Sequence, residues 1–339
     1  MKILLLFLAI FTTLITGSAQ AEPILINGAG ATFPYPLYTK WFSEYQKIDP
    51  NIQLNYQSIG SGGGIRQFSE KTIDFGATDV PMTDEQITKA GAPVLHIPTV
   101  MGAVVLTYNL PGIAASLKLG PEVIANIFLG TIKNWNDPAI KKLNPDIPLP
   151  ELAIAVVRRS DGSGTTGIFT DYLSKISPEW KAKVGQGASV NWPVGLGGKG
   201  NEGVTGLVKQ TPGAIGYVEL IYAENTKLSY AAIQNKAGQF VTPSMKTVSS
   251  AAAGSLKTMP DDFRISITNA EGKSSYPISG FTYLLVYKNM LGDKGVKFVK
   301  FLNWALADGQ KFAEPLSYAP LPKELVSKVQ NKGKTIVTR

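Results

Sequence analysis

The 339-residue chain contains no cysteine and a single histidine, His96. Without cysteine there are no disulfides, zinc ribbons, thiolate nucleophiles or iron–sulfur clusters, and no thiol to carry a lipid anchor. One histidine excludes a His-rich metal site and leaves a Ser-His-Asp triad one candidate base. His96 lies among Val94, Leu95 and Ile97, the setting of a satisfied core or sheet histidine rather than of a base. Basic clusters are scarce as well. Lys141-Lys142 and Arg158-Arg159 are the only adjacent basic pairs, so a chain with a formal net charge of +8 lacks the stripe of a phosphate-backbone tracker, and nucleic acid is not an expected partner. A diffuse positive field still attracts small anions, although the same charge also suits a surface that only keeps the protein in solution.

The first 21 residues read as a leader rather than as part of the fold. Lys2 supplies the positive start, Ile3 to Ile15 is apolar but shorter than the ~20 residues that span a bilayer, and Ala19-Gln20-Ala21 is a small-x-small cleavage site. An exported protein starting at Glu22 is expected, located in a periplasm. With 44% hydrophobic residues the remainder has material for real cores, and its length suits two domains.

Apolar runs of strand length alternate with helical patterns, which indicates an α/β fold. Short strands are expected at Ile24–Ile26, Ile52–Tyr56, Ile73–Ala77, Leu152–Val157 and Phe281–Tyr287. Helices are expected after Pro34, from about Ile65, near Val123–Phe128, around Ile168–Ile176 and over Val296–Leu306. The apolar stretch Val94–Tyr108 is too long for one ordinary strand and contains Pro98 and Gly102, so it reads as a connection between two sheets.

Three turns combine glycine with Ser or Thr before a helix: Gly28–Phe33, Gly60–Gly64 and Asp161–Thr166. A helix start presents unpaired N–H groups and partial positive charge, and glycine lets backbone approach a ligand closely. Any one such turn is an ordinary cap. Three together, the last preceded by Arg158-Arg159 at a strand end, suggest an anion cradle. Asp161, two residues beyond Arg159, is placed to hold its guanidinium through paired hydrogen bonds, or to form a plain surface ion pair. Asp79, before Pro81, discriminates between ligands: a carboxylate among donors repels a fully ionised anion but accepts from one that carries a proton. Phosphate at neutral pH carries at least one and sulfate none. The plainer reading of Asp79 is a cap of its own turn.

Other motifs are weaker. Gly195-Leu196-Gly197-Gly198-Lys199-Gly200 fits G-x-G-x-x-G with Glu219 downstream, but Asn191–Val194 is a poor first strand for a dinucleotide fold. A P-loop is excluded by Gly200 after Lys199 and by Pro193 in the place of the first glycine. Ser163 and Ser61 are not in nucleophile elbows, because Asp161 and Ile59 stand where the motif needs glycine. Asp74, Asp79 and Asp84 are badly spaced for a metal cage.

The stretches GAGATFPYPLY (28–38), NYQSIGSGGG (55–64), DFGATDVP (74–81), IAVVRRSDGSGTTGIFTDYL (154–173), WPVGLGGKGNEGV (192–204) and PGAIGYVE (212–219) resemble the PstS family, the periplasmic phosphate-binding proteins of the ATP-driven high-affinity phosphate importer. The resemblance covers essentially the whole mature chain. It implies an α/β, two-lobed periplasmic-binding-protein clamp of type II with two crossover strands. It places lobe I at residues 22–97 plus 276–339 and lobe II at residues 98–275, after the leader at 1–21. It further implies inorganic phosphate held by Thr32, Phe33 (through its backbone N–H), Ser61, Asp79, Arg159, Ser163, Gly164 and Thr165, with Asp161 orienting the guanidinium. The expected protein is a monomer without cofactor, metal or catalysis that hands phosphate to ABC transporter permease subunits. A secreted phosphoester hydrolase using the same anion cradle is the alternative.

Overall fold

The computed structural model describes residues 22–113 and 115–339. The expected leader, residues 1–21, lies outside the described residues. In chain order the strands are β1 (Ile24–Gly30), β2 (Ile52–Ser58), β3 (Phe75–Thr78), β4 (Val94–Tyr108), β5 (Lys118–Leu119), β6 (Ala155–Arg159), β7 (Leu196–Gly198), β8 (Ala214–Glu219), β9 (Ser229–Tyr230), β10 (Ala232–Gln234), β11 (Phe240–Val241) and β12 (Ser279–Tyr287). Among the described residues the main sheet runs β2-β1-β3-β12-β4-β8-β6-β7, with β9 also on β4; a small sheet runs β11-β10-β5. Helices cover the faces, so β3, β8 and nearly all of β4 and β12 are buried on both sides and read as continuous apolar runs.

The expectation that Val94–Tyr108 is not one strand is corrected. It forms a single 15-residue strand, and it serves two sets of partners. Val94–Ala103 pairs antiparallel with β12, and from Val104 the partner becomes β8. Pro98 does not break it, because the register shifts there: Tyr283 faces Pro98 and Thr282 faces Val100, leaving Thr99 as the extra residue of a bulge, where a missing N–H is tolerated. Gly102 does not end it either. A Cβ at that position would lie 2.6 Å from the Phe33 ring and 2.9 Å from Glu219 Oε1, so glycine is there to admit a close neighbour.

Other boundaries shift in ways that matter for the site. β1 continues through Gly28 to Gly30, in parallel register with β2 and β3, so only the end of the first glycine turn is a loop. The second helix begins at Ser61 rather than near Ile65, and the Gly60 before it takes φ +86°, a conformation open to glycine. β6 includes Arg158 and Arg159 instead of ending before them, while Leu152 turns its backbone to Trp135 and Pro150. No strand forms at Asn191–Val194; the glycines of the G-x-G-x-x-G stretch supply the edge strand β7.

Candidate functional site

Every carboxyl end of the parallel strands β1, β3 and β6 feeds the same region between the two halves of the sheet. β1 leads to Thr32 and Phe33, β3 to Asp79, and β6 to Arg159, Asp161 and the helix Gly164–Ile176. Ligands of open α/β sheets bind at such strand ends. Gly62 N–H donates to Gly162 O at 2.9 Å, so the second and third glycine turns touch across that region.

Arg159 is 3% exposed and is held as expected: Nε donates to Asp161 Oδ1 at 2.8 Å and Nη2 to Asp161 Oδ2 at 2.6 Å, the paired geometry that fixes a guanidinium plane. Asp161 has a further partner, Gly200 N–H at 3.1 Å, the first residue of the helix Gly200–Gln210. Burial pushes the Asp161 carboxyl up, but Arg159 and this N–H outweigh it and hold it below the usual carboxylate range. The G-x-G-x-x-G turn thus spends its helix N-terminus on a carboxylate of its own chain, which removes the dinucleotide reading. Arg159 also donates from Nη1 to Thr165 Oγ1 at 3.4 Å.

Ser163 is the N-cap of the helix Gly164–Ile176, its Oγ accepting from Thr166 N–H at 3.0 Å. The cap occupies one of the orphan amides; the N–H groups of Gly164 and Thr165, in the first turn, have no intrahelical acceptor. A Cβ on Gly164 would lie 2.4 Å from Ser61 Oγ and 2.5 Å from Asp79 Oδ2, so glycine brings this helix end against both residues.

Asp79 is 4% exposed. Oδ1 accepts from Thr282 Oγ1 at 2.8 Å, while its own N–H donates to Ser61 Oγ at 3.2 Å; the contact of Ser61 Oγ with Oδ2 is long, at 3.5 Å. The reading of Asp79 as the cap of its own turn is corrected, because Thr78 performs that job by accepting from Val80 N–H and donating to Val80 O. Burial pushes the Asp79 pKa up to about 7, against the lowering by the Thr282 hydroxyl, the Arg159 charge and Ser61. A carboxylate with one loosely held oxygen, set among N–H and O–H donors, is poised to accept a proton-bearing hydrogen bond.

The backbone of the first turn is anchored from elsewhere. Thr32 O accepts from Tyr222 Oη at 2.5 Å and Phe33 O from Tyr318 Oη at 2.5 Å, so both carbonyls are engaged. His96 is the core histidine expected: Met82 N–H donates to its Nε2 at 3.0 Å, and burial pushes its pKa down to about 4.

Of the nine sequence-predicted residues, Thr32, Ser61, Asp79, Arg159, Asp161, Ser163, Gly164 and Thr165 are brought together by hydrogen bonds and close packing, and Phe33 follows Thr32 in the chain with its carbonyl held by Tyr318. Sequence reasoning missed three participants. Thr282 supports Asp79 from 203 residues away. Asn201 joins Thr32 to Thr165. The Tyr217 hydroxyl accepts from Arg159 N–H at 3.0 Å and pairs with Thr166 Oγ1 at 2.7 Å. Asn201 lay inside a stretch singled out for its glycines; nothing local marks Thr282 or Tyr217.

The sequence matches the profile of the PBP superfamily domain over residues 17–308. It is 49% identical over 334 residues to the phosphate-binding protein PstS of Pasteurella multocida strain Pm70, covering 98% of this chain and 96% of that one. Among solved structures, a high-affinity periplasmic phosphate-binding protein (PfluDING) bound with phosphate superposes with a TM-score of 0.72 at 19% identity, covering 93% of this chain and 99% of that one. An ABC-type phosphate transport receptor from Vibrio cholerae gives a TM-score of 0.57 at 16% identity, over 88% of this chain and all of the other. With the two-lobed fold shared by the structural neighbours and this sequence identity along nearly its whole length, the chain belongs to the PstS family of phosphate-binding proteins.

Proposed function

We propose that the cleft holds one inorganic phosphate ion and that the liganded form delivers it to the permease of an ABC importer, from a periplasmic location and as a monomer. Phe33 N–H, the first-turn amides Gly164 and Thr165, the hydroxyls of Thr32, Ser61, Ser163 and Thr165, and the Arg159 guanidinium are the donors. Asp79 is the acceptor. The observation that carries the reading is Asp79 itself, buried among donors with Oδ2 held, among the described residues, only by a 3.5 Å contact. It selects a tetrahedral anion that still has a hydrogen to give.

The donors supply the affinity without chemistry. A hydrogen bond to a charged group contributes about 1.5–3 kcal/mol, and several of them offset desolvation and reach roughly −8 kcal/mol, the micromolar scale, or tighter. The lobes of the clamp are residues 22–97 with 276–339 and residues 98–275. Lobe motion runs through β4 and the chain entering β12, where the partner of β4 changes at Val104. A hydrolase reading has less support: the chain's one histidine is tied to Met82 in the core, and Ser163 is occupied as a helix cap.

Isothermal titration calorimetry on protein stripped of phosphate tests this, together with a chromogenic phosphatase assay. One-to-one uptake without turnover is expected. Absence of binding, or release of product from a phosphoester, overturns the proposal.

A further inference from the structure

We infer that Asn201 is a positioning residue that fixes the hydroxyls of Thr32 and Thr165 as hydrogen-bond donors toward the ligand. This rests on the phosphate-binding reading of the cleft and adds a residue outside the ligand set.

The geometry is a matter of counting lone pairs. A threonine hydroxyl has two acceptor positions and one hydrogen. Thr32 Oγ1 accepts from Asn201 N–H at 3.2 Å and from Asn201 Nδ2 at 2.7 Å. Thr165 Oγ1 accepts from Asn201 Nδ2 at 3.2 Å and from Arg159 Nη1 at 3.4 Å. Both lone pairs of each oxygen are therefore filled, and each hydroxyl has only its hydrogen left to offer. The two hydrogens of one amide nitrogen are divided between a residue of the first glycine turn and a residue of the third.

The orientation of that amide is dictated from behind. Glu219 N–H donates to Asn201 Oδ1 at 3.0 Å, and a backbone N–H can only donate, so the oxygen faces Glu219 and the NH₂ faces the two threonines. The reversed amide would set N–H against N–H and would turn both threonine hydrogens inward onto a carbonyl. Asn201 and both threonines are buried, with Asn201 and Thr165 at 0% and Thr32 at 2% exposed, so no exchange with bulk water scrambles the arrangement. Asn201 stands at the second position of the helix Gly200–Gln210, whose first N–H holds Asp161. One helix start thus orients the guanidinium through Asp161 and the two hydroxyls through Asn201. The consequence is that both threonine hydroxyls face the ligand as donors and Asp79 is left as the acceptor of the proposed ligand set, which sharpens the preference for an anion that carries a proton.

A thermodynamic cycle separates this role from mere packing. Inorganic phosphate is titrated calorimetrically into wild type, Asn201→Ala, the Thr32→Val/Thr165→Val protein, and the combination of all three changes, with thermal unfolding of each in phosphate-free buffer as the control for folding. Asn201→Ala is expected to weaken phosphate by about tenfold or more in the wild-type background and by less than about threefold once the hydroxyls are gone. Equal losses in both backgrounds, or an unchanged affinity for Asn201→Ala, overturn the inference. If Asn201→Ala does not fold, Asn201→Ser keeps an acceptor for Glu219 N–H while giving up one of the two donated hydrogens, and the same cycle applies to it. A wild-type chain that takes up no phosphate removes the reading of the cleft itself; binding with additive losses removes only the role of Asn201.

Discussion

Replacing Asp79 by asparagine isolates the cost of an ionised carboxylate in the cleft. In the ligand-free protein its pKa stands at about 7, raised chiefly by burial, against 3.8 for the free side chain. A raised acid pKa means that the folded state binds more protons than the unfolded one between those two values, so stability falls as pH rises from about 4 to about 7 and is level on either side. A shift of roughly 3 pH units corresponds to about 4 kcal/mol at pH 8. Asparagine carries no such penalty, but its amide serves Thr282 and Ser61 less well, which takes back about 1 kcal/mol for each bond lost. Scanning calorimetry in phosphate-free buffer is therefore expected to find Asp79→Asn more stable than wild type at pH 8 by about 2–4 kcal/mol, with the advantage gone by pH 4. A stability difference that is flat across this range would show that the Asp79 carboxylate is not strained by its surroundings, and the electrostatic reasoning would be refuted. Saturating phosphate should reverse the order at pH 8, because ligand that binds only the folded state adds stability by mass action and the wild type binds it better.

Two further substitutions probe the donors. Arg159→Lys keeps the charge and loses the paired geometry with Asp161, and is expected to weaken phosphate by about 10²-fold by calorimetry; an unchanged isotherm would place the guanidinium outside the ligand's reach. Gly164→Ala is a favourable change for a helix in isolation, yet its Cβ would fall 2.4 Å from Ser61 Oγ and 2.5 Å from Asp79 Oδ2. Phosphate affinity is expected to drop at least tenfold, and an alanine variant that binds like wild type would contradict the packing of this helix end onto Asp79.

The candidate site was readable in sequence to the extent that its residues are local. Ser163, Gly164 and Thr165 announce themselves as a cap and a helix start, and the Arg159–Asp161 pair spans only two residues. The α/β alternation was equally plain because the chain at or beside β3, β6 and β12 carries short apolar runs. Reading failed where a residue's conformation is decided by distant neighbours. Pro98 and Gly102 look like breaks until the bulge opposite Thr282 and the ring of Phe33 account for them. Asp79 looked like a turn cap because Thr282, its principal partner, comes from a strand 203 residues away. Asn201 was hidden for a related reason: its neighbours Gly198, Lys199 and Gly200 mimic a nucleotide loop, whereas its work is done on Thr32, 169 residues earlier.

The most direct measurement is a paired titration of the phosphate-free wild-type protein with phosphate and with sulfate at pH 9, where an Asp79 carboxyl of pKa about 7 is ionised. Both ions are tetrahedral and anionic, and only one brings a hydrogen to the Asp79 carboxylate. A site that requires such a group to find its partner rejects the isostere without it by about 10⁴–10⁵-fold, and discrimination of that order is predicted here. Sulfate binding within tenfold of phosphate would contradict the claim that a buried acid reads the proton on the ligand.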